Sequence, residues 1–158
     1  MKKKIIVKAP VLSRSGYGEQ TRFALRALRS VEDKVDIYIV SIPWGATGFI
    51  NYYDEERLWI DGILQKTAAY LQGGGQFDIS LQVTIPNEFE IMAPINIGFT
   101  AGIETTKVAP QWIEKGNTMS KILVVSNHSK NVYENTAYEA TNNQTGEVIP
   151  NFKCTTPI

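Results

Sequence analysis

The chain has 158 residues, enough for one domain with a full hydrophobic core. Its composition, 43% hydrophobic and 20% charged, is that of an ordinary globular domain, and 16 basic against 16 acidic residues leave no formal net charge. That balance argues against a dedicated nucleic-acid binder, whose affinity rests on neutralising phosphates, and one cysteine with one histidine excludes a disulfide framework and a structural zinc site.

Lys3–Ala9 reads as a buried strand, with Ile5-Ile6-Val7 at its centre. The basic start Met1-Lys2-Lys3-Lys4 has only that short apolar run behind it, so it reads neither as a signal sequence nor as a transmembrane segment. The lone Cys154 fits a reducing, cytoplasmic setting. A loop of small residues follows the strand, Ser13, Ser15, Gly16 and Gly18, and opens an amphipathic helix over 18–29. Strand, glycine loop and helix form the entry unit of many phosphate-binding α/β domains, because helix N-termini carry free N–H groups. The loop is neither GxGxxG nor a Walker motif, and a plain tight turn explains its glycines equally well.

A second strand is expected over 35–42, rich in β-branched residues and ended by Pro43-Trp44-Gly45. Residues 47–54 read as an ordered aromatic loop. A helix over 54–71 follows, stopped by Gly73-Gly74-Gly75. Strands are expected over 77–83 and 95–100, with a loop or short turn over 86–91 between them. A helix over 108–119, a strand over 122–126 and a helix over 127–138 capped by Ser126 or Asn127 complete the alternation. The polar tract 141–147 breaks the pattern, and Val148-Ile149-Pro150-Asn151 reads as a further strand of the same sheet. Strands alternating with helices imply an α/β fold, a Rossmann-like parallel sheet flanked by helices. All of 1–158 is read as one domain. An ending on a strand without a closing helix suggests a fragment of a longer protein.

Several residues at the strand exits can carry chemistry. Gly16 and Gly18 permit close backbone approach at the crevice, where free N–H groups could meet a phosphate or simply serve the turn; in a full-length enzyme of the kind that the resemblance given below implies, Gly18→Val is expected to cut turnover severely while leaving folding largely intact. Glu19 either caps its helix or contacts an acceptor, and Arg14 either pairs with a phosphate or stays solvated. Glu104 sits past the fourth strand, where a carboxylate either accepts from ligand hydroxyls or caps the segment Thr105–Pro110. His128, Asn127 and Ser129 offer polar groups at the start of the last helix, and Asn127 and Ser129 serve equally as caps. Trp44, Tyr52, Tyr53 and Trp59 suggest an aromatic cluster at the second strand's exit, a stacking platform or core packing.

Ser13-Arg14-Ser15-Gly16-Tyr17-Gly18-Glu19, directly after the first strand, resembles the SGYG(E) loop that opens glycosyltransferases of the GT-B fold. A longer stretch is similar to the same family: Ile97-Gly98-Phe99-Thr100-Ala101-Gly102-Ile103-Glu104-Thr105-Thr106, then Pro110-Gln111-Trp112, then Val125-Ser126-Asn127-His128-Ser129-Lys130. The resemblance is to the N-terminal half of a GT-B, family-4-like (group 1) enzyme. It implies two Rossmann-like domains with the active site between them, an N-terminal one holding the acceptor and a C-terminal one binding most of the sugar nucleotide. The C-terminal domain, which carries an E-x7-E motif in many members, is not recognised in this sequence, so the chain is expected to be inactive alone.

On that resemblance the substrate-binding residues are Ser15, Gly16, Tyr17, Gly18, Glu19, Glu104, Thr105, Asn127, His128 and Ser129, with no catalytic residue assigned. The implied activity moves a hexosyl group from a nucleotide-sugar donor to a hydroxyl of a glycan or other acceptor. It needs no metal and no cofactor beyond the donor, and involves no nucleic acid; peripheral contact with a membrane stays open. The alternative is a stand-alone Rossmann-like binding or interaction module without catalysis. A nicotinamide-dependent oxidoreductase fits less well, because the second strand ends in Ser41-Ile42-Pro43 rather than in an acidic residue.

Overall fold

The computed structural model describes residues 1–158. Five strands form one parallel sheet: β1 (Lys3–Ala9), β2 (Val35–Ser41), β3 (Ile79–Val83), β4 (Ile95–Phe99) and β5 (Lys121–Leu123), in the order β2-β1-β3-β4-β5. The chain moves outward from β1 to β2 on one side and from β3 to β5 on the other. The direction reverses between β1 and β3, and the loops leaving those strands splay apart there, which is where open α/β sheets bind ligands. The fold is α/β and Rossmann-like, as the alternating pattern predicts.

Helix α1 (Gly16–Arg29) and helix α2 (Glu55–Gln72) pack on one core with the sheet, through Leu25, Ile60 and Ile63 against Ile5, Val7, Ile37 and Ile39. Each such fully buried side chain stabilises the fold by about 1.5–3 kcal/mol. Arg26 and Arg29 of α1 reach Glu56 and Glu55 of α2 at 2.6 and 2.8 Å. Helix α2 also occupies one amide on the open edge of the sheet: Thr67 Oγ1 accepts from Ile39 N at 2.9 Å and itself donates to Ile63 O. An edge strand left bare would invite pairing with another chain.

The other face is held by polar side chains. Lys8, Ser80, Gln82 and Asn96 alternate along β1, β3 and β4, and all four are buried. They fasten the segment after β3, which opens with a 3₁₀ turn at Pro86–Glu88. The Gln82 amide donates to Glu90 O at 2.6 Å and accepts from Glu90 N at 3.0 Å. Asn96 Oδ1 accepts from Met92 N, Ala93 N and Ser80 Oγ, and Asn96 Nδ2 donates to Ala93 O. The buried ring of Phe89 lies on Gly98, where any Cβ would fall 2.4 Å from its Cζ. Beyond it, Ile113 of helix α3 (Pro110–Gly116), Ile122 of β5 and Val132 and Tyr133 of helix α4 (Asn127–Asn135) form the second core.

The end of the chain departs from expectation. Residues 148–151 do not extend the parallel sheet. Strands β6 (Ala137–Thr141) and β7 (Val148–Lys153) form a separate antiparallel hairpin. The polar tract that breaks the helix–strand pattern is its turn, with Asn142 N bonded to Glu147 O and Gly146 at φ +72°. Helix α4 therefore stops at Asn135, three residues before the predicted end. The hairpin returns the chain to β5, whose outer edge is closed by Ile122 N donating to Pro157 O at 2.9 Å, while Thr156 Oγ1 donates to Gly116 O and Met119 O. Smaller differences are trims: α1 begins two residues earlier than read, and α3 spans Pro110–Gly116 within the expected 108–119. No helix is long and apolar enough to cross a membrane.

Candidate functional site

The loop between β1 and α1 is built by its own buried groups. Ser15 is the N-cap, in extended conformation, and its Oγ accepts from Gly18 N at 3.1 Å. Ser13 Oγ lies 2.9 Å from Ser15 Oγ and 2.7 Å from Thr47 Oγ1, and Thr47 donates onward to Trp44 O. This row of hydroxyls joins the exits of β1 and β2. Arg22 is buried one turn into the helix, and its Nη1 donates to Val11 O at 2.9 Å and Ser13 O at 3.0 Å. Its Nη2 pairs with Glu19 at 2.7 Å.

These contacts change the expected role of two residues. Gly18 is buried, and a Cβ there would lie 2.1 Å from Ser13 O. Its missing side chain makes room for the protein's own carbonyl, so Gly18→Val would damage the fold rather than spare it. Glu19 neither caps the helix nor stands free: it holds Arg22. Gly16 is different. It is exposed, a Cβ there would meet nothing within 4 Å, and neither Gly16 N nor Tyr17 N has a hydrogen-bond partner in the protein. Arg14, a candidate phosphate ligand, donates to Asn51 Oδ1 at 2.9 Å.

Tyr17 ties three strand exits together. Its hydroxyl is 2.9 Å from Thr100 Oγ1 and accepts from Ala101 N at 3.1 Å, and its ring centroid is 4.7 Å from that of Trp44. From Ala101 the connection continues to α4: Ile103 N donates to Ser129 Oγ at 3.3 Å, and Ser129 Oγ is 3.0 Å from Ser126 Oγ. The chosen residues therefore lie along one continuous edge, formed by the C-terminal ends of the strands.

Along it, Ser126 and not Asn127 caps α4, accepting from Ser129 N at 3.1 Å. Ser129 is fully buried and spent on structure, which removes it from the ligand contacts. Asn127, His128 and Glu104 are exposed, with side chains that bond to no other part of the protein. Thr105 Oγ1 closes its own turn on Lys107 O. Glu104 and Thr105 line a cavity of about 560 Å³ with Trp112 and Tyr138.

The expected aromatic cluster is not assembled. Trp44 packs on Tyr17, Tyr53 lies under Arg57 and Trp59 under Arg29. The sequence did not single out Lys8, Arg22 or Glu88 as site groups. A lysine two residues after the centre of an apolar strand shares the face of Ile6, which was a usable signal for Lys8. Nothing in the sequence pattern marks Arg22, which sits among other helix arginines. No group of three or more His, Cys, Asp or Glu is gathered as a metal site would need. In comparisons with protein-family models, curated proteins and solved structures, nothing matches the chain.

Proposed function

We propose that this chain is the acceptor-side domain of a glycosyltransferase of the GT-B type, moving a hexosyl group from a nucleotide sugar to an acceptor hydroxyl. One observation carries the proposal: at the reversal point of the sheet, the start of α1 presents Gly16 N–H and Tyr17 N–H without partners. Amides at a helix N-terminus favour anions. In glycosyl transfer the bond from the anomeric carbon to the diphosphate breaks as the acceptor oxygen bonds to that carbon, the acceptor's proton passes to the departing diphosphate or to water, and negative charge grows on the diphosphate. Preorganised N–H groups aimed at that charge lower the barrier. Glu104, Asn127 and His128, exposed along the same edge, suit hydrogen bonding to acceptor hydroxyls.

Gly16→Pro tests this directly. Proline is tolerated at the first helical position, the preceding Ser15 is already extended at φ −136° and ψ 167°, and the substitution removes one N–H from the crevice while adding a ring, so Gly16→Ala, which adds a Cβ but keeps the N–H, is titrated beside it as the steric control. UDP, GDP and ADP are titrated against the native chain and the variant by calorimetry. At least one is expected to bind, and the variant is expected to lose about 1.5–3 kcal/mol, the worth of one hydrogen bond to a charged group. No binding by any of the three, or equal binding by the variant, rejects the reading. Binding with no sugar transfer to any hydroxyl acceptor, followed by mass spectrometry with this chain supplied with a donor-binding domain, favours the plain binding module.

A further inference from the structure

A second cavity, of about 680 Å³, opens between the exits of β2 and β3 and is lined by Trp44, Pro43, Thr47, Lys8 and Glu88 among others. That is within the usual range for small-molecule sites. Its floor is unusual in charge. Lys8 projects from the middle of the sheet with its side chain only 10% exposed. Its ammonium donates to Glu88 O and to Glu90 Oε1, both at 2.8 Å. An ammonium carries three donors, so one N–H of Lys8 is left for a ligand. Glu90 neutralises the lysine, and the Glu88 carboxylate, which has no ion-pair or hydrogen-bond partner, adds one negative charge to the wall. The indole of Trp44 forms the apolar side, braced by the Tyr17 ring at 4.7 Å.

We propose that this cavity binds an uncharged hexose ring, the part of the acceptor that sits beside the transfer site; its role as an acceptor subsite rests on the transferase reading. The chemistry selects that class. An aromatic face packs against the C–H face of a pyranose ring. A free carboxylate accepts from two neighbouring ring hydroxyls, and the spare Lys8 N–H donates to a third. The local charge of Lys8, Glu90 and Glu88 sums to minus one, which repels a phosphorylated sugar or a diphosphate. The cavity and the Gly16–Tyr17 amides therefore sort their ligands by charge, with one neutral ring of the acceptor on the Trp44 side and the anionic leaving group at the helix start, while Glu104, Asn127 and His128 on the far side are left for the rest of the acceptor.

The test uses the whole chain, 15N-labelled, with methyl α-D-glucopyranoside and methyl α-D-galactopyranoside as probes and glucose 6-phosphate as the charged comparison. At least one glycoside is expected to shift the Trp44 indole N–H and the backbone amides of 42, 44–47, 85, 87 and 88, with a dissociation constant on the order of 1 mM. Trp44→Ala and Glu88→Gln are each expected to weaken it about ten-fold. The exposed Glu88 can change without disturbing the fold, which keeps the test decisive if Trp44→Ala proves unstable. Glucose 6-phosphate is expected to bind several-fold more weakly than glucoside. Absence of shifts at Trp44 with both glycosides, shifts that persist unchanged in Glu88→Gln, or tighter binding of the phosphorylated sugar would each overturn the proposal. Glycoside binding without any nucleotide binding would leave the cavity standing and reject the transferase reading instead.

Discussion

The two ends of the crevice edge are built on opposite plans. Where β1 gives way to α1, almost every polar group is turned inward: Ser13, Ser15, Thr47 and Arg22 bind one another or the loop's own carbonyls, and Gly18 is pressed on Ser13 O. Where β4 and β5 end, Ser129 and Ser126 do the structural work, and Glu104, Asn127 and His128 are left facing solvent. The first region is a rigid frame with two backbone amides exposed. The second is an array of unengaged side chains. On the proposed transferase reading, the rigid frame suits the diphosphate and the free side chains suit hydroxyls of the acceptor.

The sharpest break of that contrast is at Gly18. Gly18→Val must push Ser13 O away from 2.1 Å, a backbone atom with no rotamer to yield, and the helix start and loop would separate. A loss of about 3 kcal/mol or more is expected, beyond typical overpacking. Gly16→Ala, two residues away with open space around it, is expected to change stability by less than about 1 kcal/mol and to favour the helix if anything. Urea unfolding of the two variants reads both. Similar midpoints would mean the loop yields freely, and the frame would lose its meaning.

Arg22→Met gives the next largest effect. The apolar stem is kept, but Val11 O and Ser13 O lose their buried donor, at about 1–3 kcal/mol for each unsatisfied group. Glu104→Gln, at the other end, should be stability-neutral within about 0.5 kcal/mol. If Arg22→Met unfolds at the native midpoint, the guanidinium is not the clamp. The two substitutions also separate roles: the first should alter nucleotide binding through the frame, and the second should leave nucleotide binding alone.

The sequence made the frame legible in outline and concealed its wiring. Lys3–Ala9 and the start of β2 were readable because a run of β-branched residues bounded by turn residues has few other uses. The site's location followed from topology, since strand exits collect at one edge whatever their side chains do. The roles did not follow. Gly18 looks the same in sequence whether its missing Cβ admits a ligand or a carbonyl, and Ser129 looks the same whether it faces a sugar or Ile103 N. The polar face of Ser80, Gln82 and Asn96 was missed because a buried polar residue in a strand does not announce its partner. The hairpin at the end was missed for another reason. Asn142 and Gly146 are ordinary turn residues, but the helical pattern of α4 runs on through Tyr138, so Ala137 and Tyr138, the start of β6, read as helix.

The smallest effect expected tests whether the crevice edge is independent of the opposite edge of the sheet, where the strands begin. There Asp78 accepts from Lys4 N at 2.8 Å and meets Lys3, and Asp36 meets Lys66 at 2.8 Å and the Tyr38 hydroxyl at 2.7 Å. The Lys4 amide chiefly holds the Asp78 carboxyl below its usual range. Burial pushes Asp36 up, but the hydrogen bonds from Lys66 and Tyr38 outweigh it and leave that carboxyl low as well. A carboxyl lower in the folded than in the unfolded chain stabilises fully above the unfolded value, about 3.9, and loses that contribution as pH falls through the folded value. Tyr38 acts at the other extreme: burial and Asp36 push it up to about 12, so its contribution is complete below the ordinary tyrosine range and fades as pH rises towards that value. Urea midpoints should hold steady across neutral pH, fall below about pH 4, and fall less steeply in Asp36→Asn and Asp78→Asn, which start lower at pH 7. Because these groups sit away from the Gly16 and Tyr17 amides, nucleotide affinity per folded molecule should not follow them between pH 5 and 8. A parallel drop in affinity in Asp36→Asn would mean that the two edges of the sheet are coupled, and that the rigid frame extends through the strands.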